Sequence, residues 1–315
     1  MIKVVPVLAS MNTLTGTAVY TMLATYPRSI HAQLLTHRTK SKNSSSSRAI
    51  PTLTEIQNIK NNPVQIMWSR NGKGMQGELI EDLNEIQELD ELVLDFRKAA
   101  FKFVKGLADP KGHNVHKQNI NRFLEPFANI TVLISATEWD NFDWLRIDGA
   151  AQHEIAVLAK ELKECRENMV PMPIYAGEYH TPFVDRVRDE DGKLRYYSME
   201  SHIELTLEGA IKVSSSCAAQ TSYRRLDDSL EKADDMEAKL KSGYKLHASP
   251  FEHVCTPIQL PMNELSRLPL AAFMQQLPEG ITHVSRDLSL WSGNFRNWIQ
   301  YRHLMPNNDK ALFKD

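Results

Sequence analysis

The sequence is poor in cysteine. Three occur among 315 residues, Cys165, Cys217 and Cys255, widely spaced and odd in number. No CxxC pair exists, so neither a disulfide framework nor a thiolate zinc site is supported. Long apolar runs are missing as well. The longest, such as residues 130–136, fall far below the ~20 residues of a membrane-spanning helix. Residues 1–10 hold one lysine and a short apolar stretch containing Pro6, too short for a signal-peptide core. A cytoplasmic protein with no membrane partner is the expectation. Charge of one sign is also missing: 37 basic against 39 acidic residues leave a net charge of −2. No global basic field would hold nucleic acid, although a small anionic ligand stays open. A glycine-rich phosphate loop is absent, because Gly72-Lys73-Gly74 lacks the spacing and the Lys-Ser/Thr that must follow.

What is present is an ordinary globular composition, 42% hydrophobic and 24% charged. Residues 2–8 read as a strand. Pro27 suits the first turn of a helix running to about Arg38. Residues 41–48 are polar and poor in helix formers, so a loop is expected, closed by Pro51. The strongest helix spans about 81–106. Leu89, Leu92, Val93, Phe96, Ala100, Phe103, Val104 and Leu107 form one apolar stripe, stopped by Gly106 and Pro110. A helix at 114–124 should end before Pro126. Residues 130–136 form a two-sided apolar strand. Thr137 with Asp140 suggests a capping box for helix 138–146. Asp148 should cap helix 149–166, with Ala151, Ile155, Leu158 and Leu162 inward. Asp191-Gly192 predicts a hairpin turn between 183–187 and 194–197. Helix 229–241 should stop at Gly243, and a last helix is expected at 294–304. No composition break separates two domains, so residues 1–315 are read as one.

Three constellations could carry chemistry. The first is Gln33-x-x-x-His37-Arg38-x-x-Ser41-x-Asn43-x-x-Ser46-x-Arg48. Hydroxyls, amides and four basic residues (Arg38, Lys40, Lys42, Arg48) suit a phosphate. Composition alone favours a plain solvated loop. The second joins Asn121-Arg122-x-Leu124-Glu125-Pro126 to Asn141, Leu145 and Arg146 and to Ala151-Gln152-x-Glu154-Ile155. Periodicity alone reads it as amphipathic helix. The third, His247-Ala248-Ser249-Pro250-Phe251-Glu252-His253, looks like a helix start with Ser249 as cap, and free N–H groups there suit a phosphate. A metal site is not supported, since no His-x-x-x-His or third ligand accompanies His247 and His253. Cys255 lies two residues from His253, but a buried inert thiol is the better reading.

Together these segments resemble the flavin-dependent thymidylate synthases, whose signature is Arg-His-Arg-x-x-Ser-x-Asn-x-x-Ser-x-Arg. Residues 36–48 read Thr-His-Arg-Thr-Lys-Ser-Lys-Asn-Ser-Ser-Ser-Ser-Arg, matching at His37, Arg38, Ser41, Asn43, Ser46 and Arg48. Gln33 is similar to the family's glutamine before the signature, and Arg122 to Pro126 resembles its Arg…Leu-Pro helix. Asn141, Arg146, Ala151, Gln152, Glu154 and Ile155 resemble another segment. His247 to His253 resembles the His-x-Ser-Pro-Phe-Glu-His segment, and Ala219, Ser222 and Tyr223 the piece before it. That segment usually precedes the signature; here it follows. The order looks circularly permuted and the chain enlarged, like bacteriophage-type members, which would place it in the host cytoplasm. Thr36 stands where the signature has its first arginine, and Ser44 where glutamate is frequent.

The resemblance implies an α+β fold, a mixed or antiparallel sheet flanked by helices, with active sites shared in a homotetramer. It implies transfer of a one-carbon unit from 5,10-methylenetetrahydrofolate to C5 of dUMP, with hydride from reduced FAD and NADPH as the reductant of the flavin. Arg146, Arg48 and Ser46 are the implied catalytic set. Gln33, Ser46, Arg48, Arg122 and Arg146 would bind the pyrimidine deoxynucleotide monophosphate. His37, Arg38, Asn43, Asn141, Ser249, Glu252 and His247 would hold FAD, with His247 near the folate or flavin ring. A relative methylating or hydroxymethylating dCMP or dUMP for modified DNA is the alternative, and a non-catalytic nucleotide-binding homologue is a further one.

Overall fold

The computed structural model describes residues 2–73, 76–222, 226–242, 246–260 and 269–306. The chain starts as a long antiparallel pair, β1 (Lys3–Asn12) and β2 (Ala18–Pro27). Gly16 turns between them at φ +68°, where a side chain would be strained. Asn12 secures that turn: its Oδ1 accepts from Leu14 N at 2.9 Å. Pro6, which has no N–H, sits where the β1–β2 register shifts. The first strand thus runs beyond the expected 2–8, and β2 is an element the hydrophobic pattern did not announce.

Five strands form the central sheet in the order β3-β4-β2-β1-β5, with β3 (Ser41–Ser44), β4 (Asn129–Ala136) and β5 (Met172–Ile174). All neighbours are antiparallel except β1 and β5. The chain is therefore mixed α+β. β4 is buried on both faces, as its sequence predicts. On one face lie Ile155, Leu158, Ala159 and Leu162 of α6 (His153–Glu167), against Met22, Ala24, Val132 and Ile134. On the other, Val19 and Leu133 meet α7 (Leu207–Ala219), Cys255 and Trp298, together with the hairpin of β6 (Val184–Arg188) and β7 (Leu194–Ser198). Gly192 turns that hairpin at φ +77°, as the Asp191-Gly192 pair suggested. A buried polar chain ties the layers together. Ser10 and Thr21 bond the two ring nitrogens of His180 at 2.7 and 2.8 Å, and Ser135 links Thr21 (2.5 Å) to His253 Nδ1 (2.8 Å).

A third cluster joins α2 (Thr52–Asn61), α3 (Leu83–Ala108) and α4 (Lys117–Ile120) through Ile56, Ile59, Phe101, Val104, Ile120 and Leu124. α3 forms near the expected span with Asp82 as its cap, but it runs through Gly106, expected to stop it, to Ala108, and its stripe divides. Phe101 and Val104 are buried, while Leu92, Phe96 and Phe103 stay exposed.

Several expectations are corrected. The helix after Pro27 is only a 3-10 turn and α1 (His31–Leu35). Residues 41–44 are a strand, because β4 offers them a free edge. The helix at 114–124 shortens to α4 and passes into a 3-10 stretch, Asn121–Phe127, that includes Pro126. α5 (Asp140–Arg146) has no side-chain cap, since Thr137 Oγ1 instead accepts from Arg296 N. Asp148 caps no helix; it accepts from Ala150 N ahead of α6. α8 (Leu230–Leu240) ends near the expected point, although Gly243 lies outside the described residues. The helix at 294–304 does not form. Gly293 (φ +59°) and Asn297 (φ +60°) break it into strand pieces, and residues 298–300 pair with residues 255–257. Phe295 and Trp298, spaced like a helical face, are buried from strand positions instead, Trp298 opposite Pro257 and Phe295 opposite Ser292. Among the described residues no helix is long and apolar enough to cross a membrane.

Candidate functional site

The signature loop leaves the sheet at β3. Ser45 N donates to Thr131 O at 2.8 Å, and Ala49 N closes a turn on Ser46 O. Asn121, fully buried, then holds that turn. Its amide nitrogen donates to Ser47 O (2.8 Å) and Ile50 O (2.9 Å), and its oxygen accepts from Thr52 Oγ1 (2.8 Å). The next residue, Arg122, is thereby set beside Arg48. Residues 44–48, Arg122, Arg28, His31 and Glu125 line one cleft of about 390 Å³. Arg48 and Arg122 are exposed to solvent. Three guanidinium groups and a row of hydroxyls suit a phosphate, since arginine offers a planar fork of donors. The one acid is Glu125, which accepts from Ser47 Oγ at 2.8 Å. His31 bonds Tyr26 Oη at 2.8 Å; burial, then Arg28 and Lys42, push its pKa down.

His37 lies in a second group, behind α1. Its ring is buried edge-on against Phe142, and its Nε2 accepts from Arg146 Nε at 2.9 Å. A ring that accepts there is neutral and carries its proton on Nδ1. Burial, then Arg146, Lys40 and Lys42, push its pKa down to about 4. Arg146 also reaches Thr36 Oγ1 at 3.5 Å, the position where the signature has an arginine. Lys40 does not join that cleft. It is 3% exposed, donates to Glu138 O at 3.1 Å and sits over the rings of Trp139 and Phe142. Burial lowers its pKa to about 7, helped by Arg166 and Lys42. Gln33 bonds Gln152, which bonds Glu154 at 2.9 Å.

The third group surrounds β3. Gln300 Nε2 donates to Ser41 Oγ (2.9 Å) and Glu252 O (3.0 Å), while Asn294 Nδ2 reaches Arg38 O (3.3 Å). Asn43 donates to Ala218 O at 3.3 Å. The Glu252 carboxylate is paired with Arg302. Lys42 donates to His37 O at 2.7 Å, and its pKa is lowered to about 8 by burial against the opposing pull of Glu252. Lys42 thus stands between the second and third groups.

The structure therefore brings Ser46, Arg48 and Arg122 into one cleft and puts His37 on Arg146. Gln33 and Arg146 do not line the cleft. Arg38, Asn43 and Glu252 gather around β3. His247 and Ser249 are exposed, as is Asn141 in the first turn of α5. Ser249 caps nothing: the 3-10 turn Ser249–Glu252 has Ala248 at its cap position with no side-chain bond. Of the Ala219, Ser222 and Tyr223 set, Tyr223 and the Ser222 side chain lie outside the described residues. The four basic residues of the first constellation do not converge, because β3 separates them.

Sequence reasoning missed Arg28, His31 and the anchoring roles of Asn121, Asn294 and Gln300. Arg28 directly follows Pro27, and no local pattern marks it. Among the described residues no group of three His, Cys, Asp or Glu could hold a metal. Cys217 and Cys255 are buried, and burial pushes the Cys217 thiol up to about 12, so neither is a ready nucleophile.

No family model matches the sequence, and no curated protein matches it. Similar solved structures include thymidylate synthase X from Helicobacter pylori with FAD and dUMP. It is 19% identical over 47% of this chain and 67% of that one, with a TM-score of 0.31. A UMP/dUMP methylase, PolB from Streptomyces cacaoi, bound with 5-Br UMP, is 14% identical over 53% of this chain and 88% of that one, with a TM-score of 0.41.

Proposed function

We propose that the protein is a flavin-dependent enzyme that transfers a one-carbon unit from methylenetetrahydrofolate to C5 of dUMP. The observation that carries this reading is the cleft itself. Ser46 and Arg48 from the signature and Arg122 from a distant helix end meet there, as the resemblance requires of a phosphate site. Arg48, Arg122 and the hydroxyls of residues 44–47 hold the phosphate. Arg146 serves the pyrimidine carbonyl, where a cation favours negative charge developing on the ring. Since Arg146 does not line the cleft of its own chain, the reading includes active sites completed between copies, as in a homotetramer.

The donors around β3 fit a flavin dinucleotide. Arg38, Lys42 and the exposed Ser249 and His247 offer groups for an anionic diphosphate, and Asn43 and Glu252 add an amide and an acceptor. FAD, reduced by NADPH, would supply the hydride when bound. The chain's own task is to orient nucleotide and folate against it and to exclude water. His37, neutral and held by Arg146, fixes the loop between the two ligands.

One observation favours a second reading. Thr36 presents a hydroxyl to Arg146 where the signature has a cation, which changes the charge beside the base. That change motivates the alternative of a related pyrimidine methylase or hydroxymethylase acting on dCMP or dUMP. Incubation with dUMP or dCMP, methylenetetrahydrofolate and NADPH, followed by mass measurement of the nucleotide, separates the two. Protein that is colourless and takes up no added FAD would overturn both.

A further inference from the structure

Arg28 is the least exposed guanidinium of the cleft, and it is incompletely used. Its backbone is tied to Ala128 O at 3.0 Å, and its side chain is 15% exposed. Its Nε is buried without a hydrogen-bond partner. The only carboxylate paired with it among the described residues, Glu125, stays 3.9 Å from Nη1, beyond hydrogen-bond reach. A guanidinium has five N–H donors, and leaving one buried and unpaired is costly, so it asks for an explanation. Glu125 is drawn to the cleft wall by Ser47 Oγ, from the same loop that carries Arg48. At 38% exposure that carboxylate has room to swing outward. On the other side lies Glu55, 4% exposed, whose carboxyl pKa is pushed up by burial against the opposing pull of Asn58 and Arg28.

We infer that Arg28 is a further phosphate ligand of the cleft, and that Glu125 is a built-in competitor standing in as its counter-ion until a phosphate arrives. This rests on the reading of the cleft as a nucleotide phosphate site. Two charges of opposite sign should then act in opposite directions on one affinity. Removing the cation removes a charge-assisted hydrogen bond. Removing the acid removes repulsion of the incoming phosphate and frees Arg28 to meet it.

The test measures binding of dUMP, deoxyuridine and inorganic phosphate to the full chain by calorimetry, for wild type, Arg28→Gln, Arg28→Lys and Glu125→Gln. Arg28→Gln should weaken dUMP by about tenfold or more, the scale of one hydrogen bond to a charged group. Deoxyuridine should be unaffected, and Arg28→Lys should recover part of the loss. Glu125→Gln should tighten dUMP several-fold, and this arm stands even if Arg28→Gln does not fold. Equal dUMP affinity in Arg28→Gln and wild type, or weaker binding in Glu125→Gln, would overturn the inference. Wild type that binds inorganic phosphate through Arg28 but not dUMP would overturn the pyrimidine reading alone. Wild type that binds neither would overturn both.

Discussion

The side-chain amide of Asn121 donates to the main-chain oxygen of Ser47 at 2.8 Å, and this bond assembles the cleft. It holds the signature turn to the helix end that carries Arg122. Replacing Asn121 by Ala leaves the oxygens of Ser47 and Ile50 and the hydroxyl of Thr52 without their partner. Each buried unsatisfied group costs about 1–3 kcal/mol, and relaxation recovers part. Asn121→Ala should therefore lose about 2–4 kcal/mol in urea unfolding. Its dUMP affinity should fall as well, although Asn121 does not line the cleft.

Arg48→Ala and Arg122→Ala should each weaken dUMP binding by about tenfold, with deoxyuridine unchanged. Both groups are exposed, so the fold should hold and melting temperatures should stay near wild type. Raising the salt concentration should narrow the gap between wild type and variants. A calorimetric titration at two ionic strengths checks all three points.

Acid should destabilise the protein through its buried imidazoles. The His37 pKa is about 4, against about 6.5 for an unperturbed histidine. Between those values the unfolded chain takes up a proton that the folded chain refuses, so stability falls as the pH drops from about 6.5 toward 4. His180 and His253, both fully buried and shifted down, act in the same direction. Urea midpoints measured across this window should fall steadily. His37→Gln, which keeps an acceptor for Arg146, should give a shallower fall. In Arg146→Ala the His37 resonance should titrate at higher pH than in wild type, because a facing cation has gone.

Lys40 has the corresponding effect at alkaline pH. Its pKa of about 7 lies below the ~10.4 of a free lysine. The unfolded chain binds the extra proton between these limits, so this group adds stability as the pH rises from 7 toward 10. Lys40→Met, which keeps the apolar stem under Trp139 and Phe142, should lose that gain. The readout is the change in unfolding free energy from pH 7 to 9.5, larger in wild type than in the variant.

Much was legible in the sequence where signals are local. α3, α6, β4 and the Asp191-Gly192 hairpin follow from the spacing of apolar residues and from a turn pair, both contained within a few consecutive positions. Other elements were hidden. Thr21, Thr25 and Ser214–Ser216 dilute the apolar patterns of β2 and α7; Thr21 finds partners in Ser135 and His180, Thr25 in Thr131 and Ser216 in Gln220, all but Gln220 far from them in the chain. The stretch at 294–304 carries a helical spacing. Two residues in left-handed conformations and an open strand edge at Thr256 overrode it.

The same division holds for the site. By itself the sequence determined the chemical inventory: a hydroxyl-rich loop with arginines, a near-balanced net charge of −2 and only three scattered cysteines. Only the tertiary structure decided which members meet. It put Arg48 beside Arg122 and added Arg28. It withdrew Lys40 under two aromatic rings and turned Arg146 onto His37. Those choices depend on contacts between residues far apart in the chain, such as Asn121 with Ser47. A buried polar group must find its partner wherever the fold offers one, and no local spacing records where that is.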